Sequence, residues 1–395
     1  MKLGIVGQGA AALFLSLIIK NKNKNIEITI IDKNEKPFKK LYATGNGRCN
    51  LGNLKVNENS YNSTFASNLV KEYNSKTLIS FLNKVGVLTR NIDGLVYPYS
   101  LSAKALIDYL INYLKNESVE FVNNEQVLDY YLKDNRYFLK TQKSEFYFDK
   151  VIIACGGCSS PNLGSDGTFF DVIKNHGYKI SELKPGLVPI KIKENIKNIE
   201  NERVKVLAKL YLEDKEVYQE SGEVIFKKDA LSGIVMMNFS SLIARSSLKN
   251  YYIKLDLFKD YTNEELYRII KNDNKNDLPL LYGYFSKNLA NYIYKEANIF
   301  NKNKVLGDFE LRLLVATLKD LTFTFKELYP FINSQVSIGG VDIKEIDKNS
   351  FESLKEKNIY FLGEVLNLDG LCGGYNLMLC YSEARKCAEN LLRII

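Results

Sequence analysis

The chain has 395 residues, too long for one ordinary core and suited to two or three domains. Its 46% hydrophobic and 25% charged residues are normal for a soluble globular protein, and no stretch reaches membrane-spanning length. The net charge of +8, mostly lysine, permits an anionic partner such as nucleic acid, and a lysine-rich solvated surface accounts for it equally well.

The first 32 residues organise the rest. Leu3 to Val6 is a short apolar run, as in a buried parallel strand. Gly7-Gln8-Gly9-Ala10-Ala11-Ala12 follows and fits G-x-G-x-x-A. An apolar helix is expected from Ala11 to Lys20, then a second strand from Ile26 to Ile31, ending in Asp32. This is a βαβ unit with the dinucleotide fingerprint in its proper setting. Gly7 permits the tight turn, Gly9 removes a side chain that would meet a pyrophosphate, and Ala12 allows close helix–strand packing. The helix N-terminus offers free N–H groups to phosphate. Asp32 lies 20 residues past Ala12, where a carboxylate can accept both ribose hydroxyls. The apolar helix resembles a short signal-peptide core but lacks a cleavage-like ending.

After Asp32, Pro37 and several glycines mark a long loop, which inside an α/β domain is usually functional. Lys39, Lys40 and Arg48 bring cations to it, and Gly45 and Gly47 allow close backbone approach to a ligand. An amphipathic helix is expected from Ser75 to Gly86, and another, capped by Ser102, through Leu114. Val119 to Val122, Gln126 to Leu132, Tyr137 to Thr141 and Phe146 to Phe148 read as short strands. Val151 to Ala154 is a further apolar strand, followed by Gly156 and Gly157. Asp171 to His176 reads as a helix ended by Gly177.

Pro185 and Pro189 mark a boundary. The expected division is a first dinucleotide-binding part over 1–186, an inserted β domain over 187–256, a helical subdomain over 257–317, a return segment over 318–334 and a second dinucleotide-binding part over 335–395. Val188 to Phe239 is strand-like throughout, and 257–304 is polar and helix-prone. The last part carries two further glycine pairs, Gly339-Gly340 and Gly373-Gly374. The second opens a long helix, whose N-terminus can stabilise negative charge on a bound cofactor.

Six cysteines without paired spacing point to reduced thiols and a cytoplasmic location. Cys155 and Cys158 form C-x-x-C, yet no second pair or histidine cluster supports zinc, so no metal site is expected. The single histidine, His176, disfavours Ser-His-Asp or Cys-His chemistry.

Taken together, GQGAAA, TGNGRCNLGN, GLVYPYS, ACGGCSSPNLGSDG, SIGGV and IYFLGEVLNLDGLCGGYNL resemble the BaiN/RdsA-type family of bacterial FAD-binding oxidoreductases over nearly the whole chain. The resemblance implies an α/β, Rossmann-like FAD domain of the glutathione-reductase type, with the short strands after Val119 forming its antiparallel crossover. It implies FAD as the cofactor. Gly7, Gly9, Ala10, Ala11 and Asp32 would hold its adenosine diphosphate half, with Lys40, Gly47, Arg48, Cys49 and Asn50 along it. Val127 would meet the adenine, Ala154 and Gly156 would line the middle, and Gly363, Glu364, Gly373, Gly374, Tyr375, Asn376 and Leu377 would surround the flavin. Phe38 stands where the family usually has Gly, Cys155 replaces a Thr, and Lys227 to Ile234 departs from a histidine-containing stretch that ends in Pro.

The resemblance further implies reduction of a conjugated C=C bond, either uracil to dihydrouridine in ribosomal RNA or an unsaturated steroid-like ketone. Hydride leaves the flavin, and a nearby acid supplies the proton. Cys49, beside Arg48, is the first candidate donor, its plain reading being a small residue packed by the cofactor, and Cys372 is the second candidate. NAD(P)H is the expected transient electron donor, since the chain has no second glycine fingerprint. Structured RNA is a possible partner, with phosphate contacts from the inserted domains. A flavin-bound RNA-binding or sensor protein without turnover is the non-enzymatic alternative.

Overall fold

The computed structural model describes residues 1–248, 250–275 and 278–393. Leu3, Ile5, Ile30, Ile152 and Ile359 have no exposed surface, because their strands belong to a sheet covered on both faces. That sheet has five strands in the order Ile359–Phe361, Lys150–Ile153, Lys2–Val6, Glu27–Ile31 and Val119–Val122. Every neighbouring pair is parallel. Helix Ala10–Lys22 follows the first strand and is buried from Ala11 to Lys20. It packs against the C-terminal helix Tyr375–Arg393 through contacts such as the edge-to-face pair Phe14–Tyr381. This is the Rossmann-like α/β architecture expected.

Val119–Val122 is the edge of the parallel sheet and not part of the antiparallel crossover. The crossover has three strands, Val127–Lys133, Arg136–Thr141 and Glu145–Phe148. The loop after Asp32 contains a short helix, Lys39–Ala43, where loop alone was expected. Helices Ser75–Lys84 and Ala103–Asn116 take their N-caps from the Asn74 and Ser102 side chains.

The chain divides into two compact units. The first is Met1–Gly186 with Phe331–Ile395, and the second is Leu187–Pro330. Residues 331–334, expected in the return segment, fall in the first unit.

The second unit holds a closed barrel of six strands, Ile190–Ile192, Ala230–Ser232, Lys215–Phe226, Arg203–Leu212, Tyr251–Asp256 and Leu321–Leu328. Leu321–Leu328 closes it by pairing with both Tyr251–Asp256 and Ile190–Ile192. Helices Asn263–Asp273, Lys287–Glu296 and Asp308–Lys319 lie between the last two strands in sequence. Inside the strand-like region, Ile234–Arg245 is a helix. Its sequence IVMMNFSSLIAR is buried on most sides, so no polar face announces it.

Among the described residues, no helix is long and apolar enough to cross a membrane.

Candidate functional site

The C-terminal ends of the parallel strands gather the fingerprint, as the open crevice of such sheets requires. Gly7 adopts φ +100°, and a Cβ there would lie 2.5 Å from the Ala154 carbonyl oxygen, so no other residue fits. A Cβ added at Gly9 would meet only that same carbonyl, at 3.8 Å, so the space beside it is open. It caps the helix Ala10–Lys22 without any side-chain hydrogen bond, which leaves first-turn amides for a phosphate. Ala11 meets Gly363, where an added Cβ would sit 3.0 Å from the Ala11 methyl. Three strand ends, at Gly7, Ala154 and Gly363, therefore converge.

Asp32 does more than wait for a ligand. One carboxylate oxygen accepts the Gln8 amide at 2.7 Å, and the other accepts the Asn34 amide and side chain, both at 2.7 Å. Of roughly four lone-pair sites on a carboxylate, three are used, so room for one ribose hydroxyl remains where two were expected. Val127 is buried at the start of the crossover, opposite Thr141. Gly156 is half-buried with φ +77°.

Lys40 and Glu364 are 324 residues apart in sequence and meet at 2.9 Å. Ser159 donates to one Glu364 oxygen and accepts from Lys40, and the Ser337 amide donates to Glu364 at 2.8 Å. Burial pushes the Glu364 carboxyl towards neutrality, but Lys40, Ser159 and the Ser337 amide outweigh it and hold it below the ordinary carboxylate range. The network ties the short helix Lys39–Ala43, the strand Val336–Val341 and the segments at Ser159 and Glu364 together beside the strand ends. Ser159 and Ser337 carry no sequence signal that marks them for this role.

The GRCN loop separates its two candidate catalytic residues. Arg48 is exposed and makes no ion pair among the described residues, which leaves it open to an anionic ligand. Cys49 has no exposed surface, and burial alone pushes its thiol up to about 12. No cation draws it down, so the expectation of an Arg48-tuned, reachable Cys49 acid is corrected. Cys372 is half-buried beside Gly373, with its sulfur 3.7 Å from Gln335 Oε1. Gly47 is exposed, and its carbonyl accepts the Ala103 amide at 2.7 Å.

At the other end of the site the helix Tyr375–Arg393 begins at Gly373 and Gly374, with φ +118° and +90°. Asn50 faces Gly374, and its Oδ1 is buried with no hydrogen-bond partner. Tyr375 is buried edge-on against Tyr61, and the Asn376 side chain holds the Gly370 turn through its amide and carbonyl. Leu377 is half-buried in the first turn. About two turns into the helix Glu383 is fully buried, and its Oε2 accepts the Gly363 amide at 2.5 Å. Sequence reading missed Glu383. Its place in the buried series 375, 378, 379, 382, 383 was the available signal.

A family model described as the HI0933-like protein Rossmann domain matches residues 1–390. The chain belongs to that family. It is accordingly a FAD-dependent oxidoreductase, and the residues present fit FAD. An uncapped helix at Gly9, the carboxylate of Asp32 and the orphaned Asn50 Oδ1 at a second helix start are what a dinucleotide with two ends requires.

The chain is 26% identical to a 3-dehydro-bile acid delta(4,6)-reductase of Clostridium scindens, over 98% of this chain and 99% of the relative. It is 25% identical to the ribosomal RNA dihydrouridine synthase of Escherichia coli, over 98% of this chain and 97% of the relative. A solved 3-ketosteroid delta1-dehydrogenase from Sterolibacterium denitrificans is 10% identical, over 98% of this chain and 99% of that one, with a TM-score of 0.49, which bears on nothing further.

Proposed function

We propose that this protein reduces a C=C bond conjugated to a carbonyl, and that the substrate is a uracil base of ribosomal RNA, converted to dihydrouridine. The observation that carries this reading is the end-to-end relation to two proteins whose names describe saturation of such bonds. Bound FAD supplies the hydride for the alkene carbon. The chain's own residues do the rest. The fingerprint helix and Asp32 hold the cofactor, and Lys40, Glu364 and Ser159 lock the segments around it.

The proton goes to the neighbouring carbon, and we assign it to the half-buried Cys372 thiol, which then recovers its proton from water. Cys49 is packing beside Asn50. NAD(P)H docks transiently as the donor, because the sequence holds one dinucleotide fingerprint. Cys372→Ala should leave flavin reduction by NAD(P)H intact while slowing substrate reduction about 100-fold or more. Equal slowing of both half-reactions would remove Cys372 from this role.

A small unsaturated ketone is the second reading. It is favoured by the near balance of charge in residues 187–330, which hold 23 Lys and Arg against 20 Asp and Glu. Mapping of dihydrouridine in ribosomal RNA, with and without the gene, decides between them. Loss of a dihydrouridine on deletion and its return on complementation support RNA. An unchanged map, with turnover of an unsaturated steroid ketone by the purified protein, supports the second reading.

A further inference from the structure

Asn50 is 7% exposed, and its Oδ1 has no hydrogen-bond partner. A buried acceptor left unmet is costly, so such an atom commonly marks a place filled by a ligand. Its position is fixed from both sides. The Cys49 amide donates to the Thr44 carbonyl at 2.9 Å, and the Leu51 amide to the Val96 carbonyl at 2.7 Å. Between these anchors the side chain faces Gly374, where a Cβ would come within 2.7 Å of Oδ1. The neighbouring polar groups are already engaged. Asn53 donates to the Gly373 carbonyl at 3.0 Å, and the Tyr375 hydroxyl to the Lys55 carbonyl at 3.3 Å.

Gly374 stands at the start of a 19-residue helix. The first intrahelical hydrogen bond there runs from the Met378 amide to the Gly374 carbonyl, 3.2 Å, so the amides of Asn376 and Leu377 have no carbonyl one turn back within the helix. A lone buried acceptor thus sits beside helix-start donors. That pattern complements an imide edge, in which an N–H lies between two carbonyls. FAD has one such edge, on the pyrimidine ring of its flavin. Its adenine has no carbonyl, its ribityl chain has only hydroxyls, and the far end of the flavin is apolar.

We propose that Asn50 accepts the hydrogen bond of the flavin N3–H, while the start of the C-terminal helix takes the adjacent carbonyl. This rests on the reading of the chain as a FAD protein. It makes Asn50 the residue that reads the flavin's polar edge. A uracil base has the same imide edge, so the test must separate cofactor from substrate.

Apoprotein is reconstituted with FAD and with 3-methyl-FAD, in which a methyl replaces the N3 hydrogen, and both dissociation constants are measured by fluorescence without substrate. The wild-type protein should bind FAD about tenfold more tightly or better, the loss expected when a buried acceptor goes unmet. Asn50→Ala should bind FAD more weakly and lose most of the preference, because the acceptor is gone and the methyl has room. Asn50→Ser serves the same comparison if the alanine variant does not fold by circular dichroism. Equal binding of the two flavins by wild type overturns the proposal, as does full discrimination retained in the variant. If wild type ignores the flavin methyl but loses, through Asn50, affinity for N3-methylated uridine, the edge belongs to the substrate and the flavin assignment falls. Failure to bind FAD at all overturns the underlying reading instead, and is seen before any variant is made.

Discussion

Glu383 and Phe38 show how much single residues carry here. Burial pushes the Glu383 carboxyl up to about 8, and the hydrogen bond from the Gly363 amide offsets only part of that. An unfolded glutamate titrates near 4.3. As pH rises from about 4.5 to 8 the unfolded chain loses this proton and the folded chain keeps it, so stability falls across that window, by on the order of 3–5 kcal/mol. Glu383→Gln should therefore flatten the pH dependence of the melting temperature between pH 5 and 8 and raise it at pH 8. The same slope in the variant would show that Glu383 does not titrate there. Phe38 has φ +57°, a left-handed conformation that favours glycine. Its ring is 1% exposed and packs edge-on against Phe121. Phe38→Gly should recover roughly 1–2 kcal/mol of backbone strain and lose roughly 3–5 kcal/mol of ring packing, for a net destabilisation of about 2 kcal/mol in urea unfolding. A stabilised variant would mean that the strain outweighs the packing.

At the scale of elements, what the sequence makes legible is what is local. The strand–glycine–helix–strand unit ending in Asp32 is readable because its pattern closes within 32 residues. Ser102 announces its helix by accepting from the Ala105 amide three residues on. Pairing choices are not local. Val119–Val122 is four residues long and reads the same in either sheet, and only its partner Glu27–Ile31 assigns it to the parallel one. Helix Ile234–Arg245 hides for the opposite reason, since burial on most sides removes the polar face that periodicity needs. The site divides in the same way. The Gly7–Gly9 end is written in one motif, whereas Lys40–Glu364 joins residues that no spacing relates. Gly374 belongs to both classes, visible as a glycine and explained only by its neighbours. A Cβ there would lie 2.7 Å from both Asn50 Oδ1 and the Gly52 carbonyl. Gly374→Ala should force the start of the helix away and weaken FAD binding at least about tenfold, with little change in far-ultraviolet dichroism. Unchanged FAD affinity would mean that the helix start does not meet the cofactor.

For the whole molecule the open question is how its charge is used. The excess of +8 is not concentrated in the second unit, whose 23 basic and 20 acidic residues leave a net +3 in 144 residues. Residues 1–186 and 331–395 carry the remaining +5. The expectation that phosphate contacts come mainly from the inserted segment therefore has no support in net charge, and exposed cations of the first unit, such as Arg48, become equal candidates. If ribosomal RNA is the substrate, each neutralised phosphate releases counterions, and affinity must fall as salt rises. A few such contacts give a log–log slope of about −2 to −5, shallower than for strongly basic binders. The uracil must also leave its stack to reach the cofactor, so unpaired bases in loops should bind better than the same bases in a duplex. Binding of a structured ribosomal RNA fragment, measured from about 50 to 300 mM salt, reads both quantities. Arg48→Ala should reduce the slope by about one unit and leave the melting temperature unchanged, because this exposed side chain has no ion pair to lose among the described residues. A slope that stays at its wild-type value removes Arg48 from the contact. Absence of RNA binding even at the lowest salt removes the RNA, and the unsaturated ketone then takes its place.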